Sequence, residues 1–205
     1  MDAKGRRLRS EEKRRFIIER SAPVFALKGL DGARTREIAR ACSVNESIVY
    51  SYFSTKDQLF CETVTALCRE SIDRLRDQAS LEPTGLAALH RIVQNQLDST
   101  VTEPLHCAIM VHAVGACSRN PSLREHVRPL LRKYHELLVD SVERGKSDGS
   151  LAGNLDSHLA AMLIRSLVWG AVFLGVAGSG DFTASTDISG VITGALGALS
   201  GRSRE

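Results

Sequence analysis

Apolar residues recur along this chain at three- and four-residue intervals, and no segment alternates apolar with polar positions as a half-buried strand would. Across residues 14–28, Ile17, Ser21, Val24 and Phe25 share one stripe, and Gly29 ends the helix. Residues 35–42 predict a short helix with Ile38, Ala39 and Cys42 inward. Residues 45–53 predict another, with Asn45 as N-cap and Val49 and Phe53 inward at i and i+4. Only Ser43 and Val44 lie between them, and two short helices across so tight a turn make a helix-turn-helix.

Longer helices follow at 56–78, 84–99, 103–117 and 122–146, with breaks at Glu82-Pro83, Pro104 and Asn120-Pro121. The 122–146 segment carries Leu123, Val127, Leu130, Leu131, Tyr134, Leu137, Leu138 and Val142 on its inner stripe. Pro129 within it removes a backbone donor, which predicts a kink or an earlier boundary. After a turn at 146–153, two apolar helices at 156–177 and 187–200 flank a Gly/Ser loop. The expected fold is all-α: a helix-turn-helix domain at 1–55 and a larger helical domain at 56–205. Composition agrees, because the 43% hydrophobic content is mostly Leu, Ala, Val and Ile with only 5% aromatics, which suits packed helices.

Charge is divided unevenly. Residues 1–56 hold 13 Lys and Arg against 7 Asp and Glu, whereas the remainder is mildly acidic. A basic head points to a polyanionic partner, although a solvated charged face has the same composition. The N-terminus is charged and lacks the apolar stretch of a signal peptide. The five cysteines, Cys42, Cys61, Cys68, Cys107 and Cys117, are odd in number and form no CxxC pair, as expected in a reducing cytoplasm. The apolar run at 159–178 approaches the length of a membrane span, but Arg165 interrupts it and it reads as a helix buried among helices.

The segment RRFIIERSAPVFALKGLDGARTREIARACSVNESIVYSYFSTKDQLF, residues 14–60, resembles the DNA-binding domain of TetR-type transcriptional regulators. The resemblance rests on Phe25, Lys28-Gly29, Glu37-Ile38-Ala39, Val44, and Tyr50-x-Tyr52-Phe53-x-x-Lys56-Asp57-x-Leu59. Arg20-Ser21, Ser43 and Ser47 depart from the family pattern, and Ser43 strains the turn if its φ is positive. The resemblance implies that Glu46, Ser47, Ile48, Tyr50, Ser51 and Tyr52 face DNA. Ile48 would meet a thymine methyl, Glu46 would accept from cytosine N4, and the two tyrosines would bond phosphates. Thr55 and Lys56 match the family's phosphate clamp, and Thr35 and Arg36 are expected on the DNA backbone. The basic arm 4–9 is expected to be disordered alone and to follow phosphates or enter the minor groove on DNA.

One helix-turn-helix reads few base pairs, so a homodimer on a palindromic operator is expected. Leu163, Val168, Phe173, Gly190, Gly194, Gly197 and Ala198 are the candidate dimer residues, on the two helices that the resemblance places in a four-helix bundle. The resemblance also implies a small-molecule effector. Its candidate contacts are His106, Met110, His112, Cys117, Tyr134, His135 and Trp169, polar, sulfur or aromatic residues within apolar stretches. No metal or cofactor is expected, because His106, Cys107 and His112 do not share one helical face. No GxSxG, GxGxxG, HExxH or P-loop pattern occurs, which leaves a regulator, most often a repressor in such families, ahead of an enzyme. The competing reading is an adaptor of the same fold without specific DNA binding, its foothold being Ser43, Glu46 and Ser47.

Overall fold

The computed structural model of the chain describes residues 3–177, 190–191 and 194–196. Eight helices are delimited among them: α1 Ala3–Gly32, α2 Thr35–Ala41, α3 Glu46–Tyr52, α4 Lys56–Ser80, α5 Gly85–Thr102, α6 Pro104–Cys117, α7 Pro121–Ser147 and α8 Ser157–Val176. The described residues contain no strand, and residues 190–191 and 194–196 are also helical. The rest of the helix expected at 187–200, with Gly197 and Ala198, lies outside the described residues.

Two boundaries differ from expectation. The arm 4–9 is not irregular but forms the first turns of α1, where a run of Arg, Glu and Lys favours helix. α7 passes through Pro129 without interruption. Pro129 and Glu125, whose carbonyl loses its donor, are both exposed, so water can take the missing bond.

Packing divides the chain into two compact units. The first joins residues 1–68 to 105–128. Ile17, Phe25, Ile38, Val49, Phe53, Leu59 and Phe60 are buried in it. The Phe25 and Phe60 rings meet edge to face, centroids 5.0 Å apart. Gly29 breaks α1 with φ +66°, and a Cβ there would sit 2.9 Å from His112 Nδ1. The departure at Ser21 has a partner: its buried hydroxyl lies 3.0 Å from that of Thr63.

The second unit joins residues 69–104 to 129–205. Here α5 packs on α8, and the turn after α7 holds the start of α5. The Gly85 N–H donates to Asp148 Oδ2 at 2.7 Å, and the Leu86 N–H to Ser150 Oγ at 3.2 Å. Ser150 and Gly85 together keep the Asp148 carboxyl below its ordinary range. Arg144 donates to the carbonyls of Ala79 and Glu82, closing the α4–α5 corner. The two backbones touch, because a Cβ on Gly85 would fall 2.0 Å from the Gly145 nitrogen.

Ser157–Gly175 is long and apolar enough to cross a membrane by length and composition. Its apolar residues fall on two faces. Ala160, Ala161, Ile164, Val168, Ala171 and Val172 are buried, while Leu159, Met162, Leu167, Phe173 and Leu174 stay exposed. Asp156 caps the start by accepting from the Leu159 N–H at 3.0 Å.

Gly85→Ala should therefore cost about 2 kcal/mol or more, because the obstacle is backbone rather than a side chain that can turn away. Urea denaturation of the two proteins measures it, and an unchanged midpoint would contradict the close approach.

Candidate nucleic-acid interface

The geometry of α2 and α3 starts from their turn. The Ser43 N–H donates to the Arg40 carbonyl and the Val44 N–H to that of Ala39, each at 3.0 Å. That is a Schellman ending, whose first residue beyond the cap must be left-handed. Ser43 occupies that position with φ +53°, so the strain expected if glycine were replaced is present. Asn45 occupies the N-cap of α3 but makes no side-chain capping bond. At the other end of α2, Glu37 accepts from Lys28 Nζ at 2.6 Å and from the Arg34 N–H at 3.3 Å. Lys28 is the main reason that its carboxyl lies below the ordinary range.

The inner side of α3 is anchored as its spacing predicts: Val49 and Phe53 are buried. The anchor that the sequence did not reveal is Arg14. Its Nε donates to Glu62 Oε2 at 2.9 Å, a second nitrogen meets Glu62 Oε1, and a third donor reaches the Tyr52 carbonyl. The guanidinium also lies over the Phe53 ring, 4.3 Å from its centroid. In sequence Arg14 is one of many basic residues, and only tertiary contact sets it apart.

The outer side of α3 is open. Glu46, Ser47, Ile48, Tyr50 and Ser51 are exposed, and Tyr52 is half-buried. Tyr50 Oη and Thr35 Oγ1 lie 3.0 Å apart, joining the start of α2 to the middle of α3. Ser51 Oγ donates to the Ile48 carbonyl at 2.7 Å on the exposed side. Arg36 is exposed, as are Arg34 and Arg40 beside it. Thr55 Oγ1 accepts the Gln58 N–H at 3.0 Å and so caps α4, leaving its O–H to donate outward. Lys56 Nζ donates to the Ala33 carbonyl at 2.8 Å, which fixes the ammonium near the start of α2 with two donors left over.

The expected effector contacts do not gather in one compact unit. His106, Met110, His112 and Cys117 belong to the first, and Tyr134, His135 and Trp169 to the second. His112 is exposed and lies against Gly29, while Met110 Sδ meets Cys68 Sγ at 3.5 Å. Burial holds the thiols protonated, raising Cys61 to about 11 and Cys68 to about 12, so neither is an activated nucleophile. In the second unit Tyr134 is buried, and its hydroxyl has no hydrogen-bond partner.

Of the candidate dimer residues, Phe173, Gly190 and Gly194 are exposed and Leu163 is half-buried. Val168 is a correction, because it is buried within its own chain, on the side of α8 that faces the core. The open stripe consists instead of Leu159, Met162, Leu167, Phe173 and Leu174, which helical spacing places with Leu163 on one face.

Comparison with known proteins agrees with this geometry. Residues 17–63 match the pattern of bacterial regulatory proteins of the tetR family, and residues 83–188 that of the C-terminal region of BetI-type transcriptional repressors. The HTH-type transcriptional repressor KstR2 of Rhodococcus jostii is 23% identical over 160 residues, 78% of each chain. The fatty acid metabolism regulator protein of Bacillus subtilis is 21% identical over 148 residues, 72% of this chain and 75% of its own. The crystal structure of FadR from Bacillus subtilis in complex with stearoyl-CoA superimposes with a TM-score of 0.73 at 18% identity. That match covers 92% of this chain and 98% of the other.

Arg14→Met keeps the aliphatic stem but leaves the Tyr52 carbonyl without this donor and takes the guanidinium from Glu62, which keeps only the Gln58 amide at 3.1 Å. It should destabilise the fold by about 1–3 kcal/mol. Thermal unfolding checks this, and an unaltered melting curve would remove Arg14 from the anchor.

Proposed function

The chain belongs to the TetR family of bacterial regulatory proteins, and we propose, from that premise, that it is an effector-released repressor acting as a homodimer on a palindromic operator. It is a DNA-binding transcriptional regulator. Residues 1–55 form the DNA-binding domain and 56–205 the effector and dimerisation domain. The observation that carries the reading is the outer face of α3. Five residues, Glu46, Ser47, Ile48, Tyr50 and Ser51, are exposed on a helix of seven, while Val49 and Phe53 hold it from behind.

Each of these residues has a role fitted to its chemistry. Glu46 and Ser47 reach base edges from the N-terminal turn of α3, and Ile48 makes an apolar contact in the major groove. Tyr50, Tyr52, Thr55, Lys56, Thr35 and Arg36 bind the phosphate backbone. The exposed apolar stripe of α8 supports the dimer, since its residues lie on one face and water would otherwise cover them. The FadR structure carries stearoyl-CoA, which supports an effector with an apolar body. Effector binding favours a conformation of the body in which α4 carries the two heads away from operator spacing, and linkage requires the operator to weaken effector binding by the same factor. The protein works in the cytoplasm and catalyses no reaction.

Selection from a random duplex pool by the purified chain tests this reading. An inverted repeat is expected, and a folded dimer that enriches no motif at low salt, with no effector bound, would favour the adaptor. On the selected operator, Lys56→Ala should reduce affinity about tenfold and lower the slope of log K against log salt by about one for each half-site. An unchanged slope would remove Lys56 from the phosphate contacts.

A further inference from the structure

Two histidines, one on α7 and one on α8, meet in a way that neither the fold nor the DNA-binding head explains. His135 Nε2 and His158 Nδ1 lie 3.2 Å apart, with the rings stacked at 5.5 Å between centroids. The other ring nitrogen of His135, Nδ1, is buried without a hydrogen-bond partner. Next to it in sequence, Tyr134 is 95% buried by its 5% exposure, and its hydroxyl is also unpartnered. Arg165 follows His158 by seven residues, about two helical turns, and its charge acts on both Tyr134 and His135.

Buried polar atoms without partners are rare, and two in adjacent residues, both within electrostatic reach of Arg165, mark a place where something else bonds. When His158 Nδ1–H donates to His135 Nε2, the free Nδ1 of His135 carries a proton. The open groups are then all donors: the Tyr134 O–H, the His135 Nδ1–H and the N–H groups of Arg165. A set of donors around a fixed positive charge is complementary to an oxyanion, which only accepts. A cation is disfavoured by the same charge.

We propose that Tyr134, His135, His158 and Arg165 form a subsite for a carboxylate or phosphate group of the effector. The proposal rests on the reading of the chain as an effector-responsive regulator and adds the charge of the ligand to it. Exposure across the subsite is graded, with Tyr134 buried, His135 and Arg165 half-buried and His158 exposed. Without an anion, burial together with Arg165 and His158 holds the His135 imidazole below its ordinary range, and Glu136 opposes them. Glu143 faces His158 from α7. An anion supplies countercharge to the imidazoles, so its affinity rises as pH falls through the imidazole range.

The test is imidazole NMR of the full-length protein titrated at constant pH with sodium acetate or sodium phosphate, against sodium chloride at equal ionic strength. The expected result is a saturable shift of the His135 and His158 resonances with acetate, phosphate or both, and the arm that saturates identifies carboxylate or phosphoryl chemistry. His90, His106, His112 and His126 should follow the chloride control. Arg165→Gln should weaken the anion about tenfold, and Tyr134→Phe, which keeps the ring that fills the core, should weaken it in the same direction. Resonances of His135 and His158 that follow the chloride control in both arms would overturn the subsite. So would undiminished binding in Tyr134→Phe. If the selected operator is still recovered then, the regulator reading stands without the subsite. Saturable anion binding with no change in operator affinity at saturation would overturn its assignment to the effector.

Discussion

A helix of seven residues does not persist alone in water, so α3 depends on what is packed behind it. Val49 and Phe53 supply the apolar anchor, and Arg14 completes it by covering the Phe53 ring and bonding the Tyr52 carbonyl at the helix end. Glu62, itself on α4, holds the guanidinium in place. Two helices, α1 and α4, therefore converge on one short element, and its outward residues can be chosen for what they meet rather than for stability. That freedom explains how Glu46, Ser47, Ile48, Tyr50 and Ser51 can all face solvent on so short a helix.

The turn before α3 carries a related cost. Ser43 takes the left-handed conformation that glycine adopts more easily, and the two backbone bonds of the Schellman ending hold it there. Strain and hydrogen bonding act on the same residue, so the angle between α2 and α3 is set by backbone geometry. The contact between Thr35 and Tyr50 ties the outer sides of the two helices as well. The second unit uses close backbone approach for a similar purpose: Gly85 lies against Gly145, and the Asp148 turn satisfies the first N–H groups of α5.

Buried polar groups fall into two kinds. Ser21 and Thr63 are buried and paired, and they add to the rigidity of the head. Tyr134 Oη and His135 Nδ1 are buried and unpaired beside Arg165, an arrangement that costs stability unless another group completes it. A regulator can use such a deficit, because a ligand that satisfies it favours the conformation in which the groups converge.

Much of the architecture was legible in the sequence, because helical periodicity, caps and breakers act locally. Gly29, the Ser43-Val44 turn and the inward positions Ile38, Val49 and Phe53 all follow from spacing and residue type. Pro129 was misleading for a local reason: a proline inside a helix is tolerated where the freed carbonyl faces water, and exposure is a tertiary property. Arg14 could not be distinguished from its basic neighbours, since its partners lie 38 and 48 residues away. Likewise, sequence placed Val168 and Phe173 together as apolar residues of one helix, and only the packing of α8 divided them into a buried and an exposed side. The sequence by itself determined which segments are helices and which face of α3 is anchored. Tertiary structure decided which charges close over that anchor and which polar atoms are left without partners, because both depend on contacts between residues far apart in the chain.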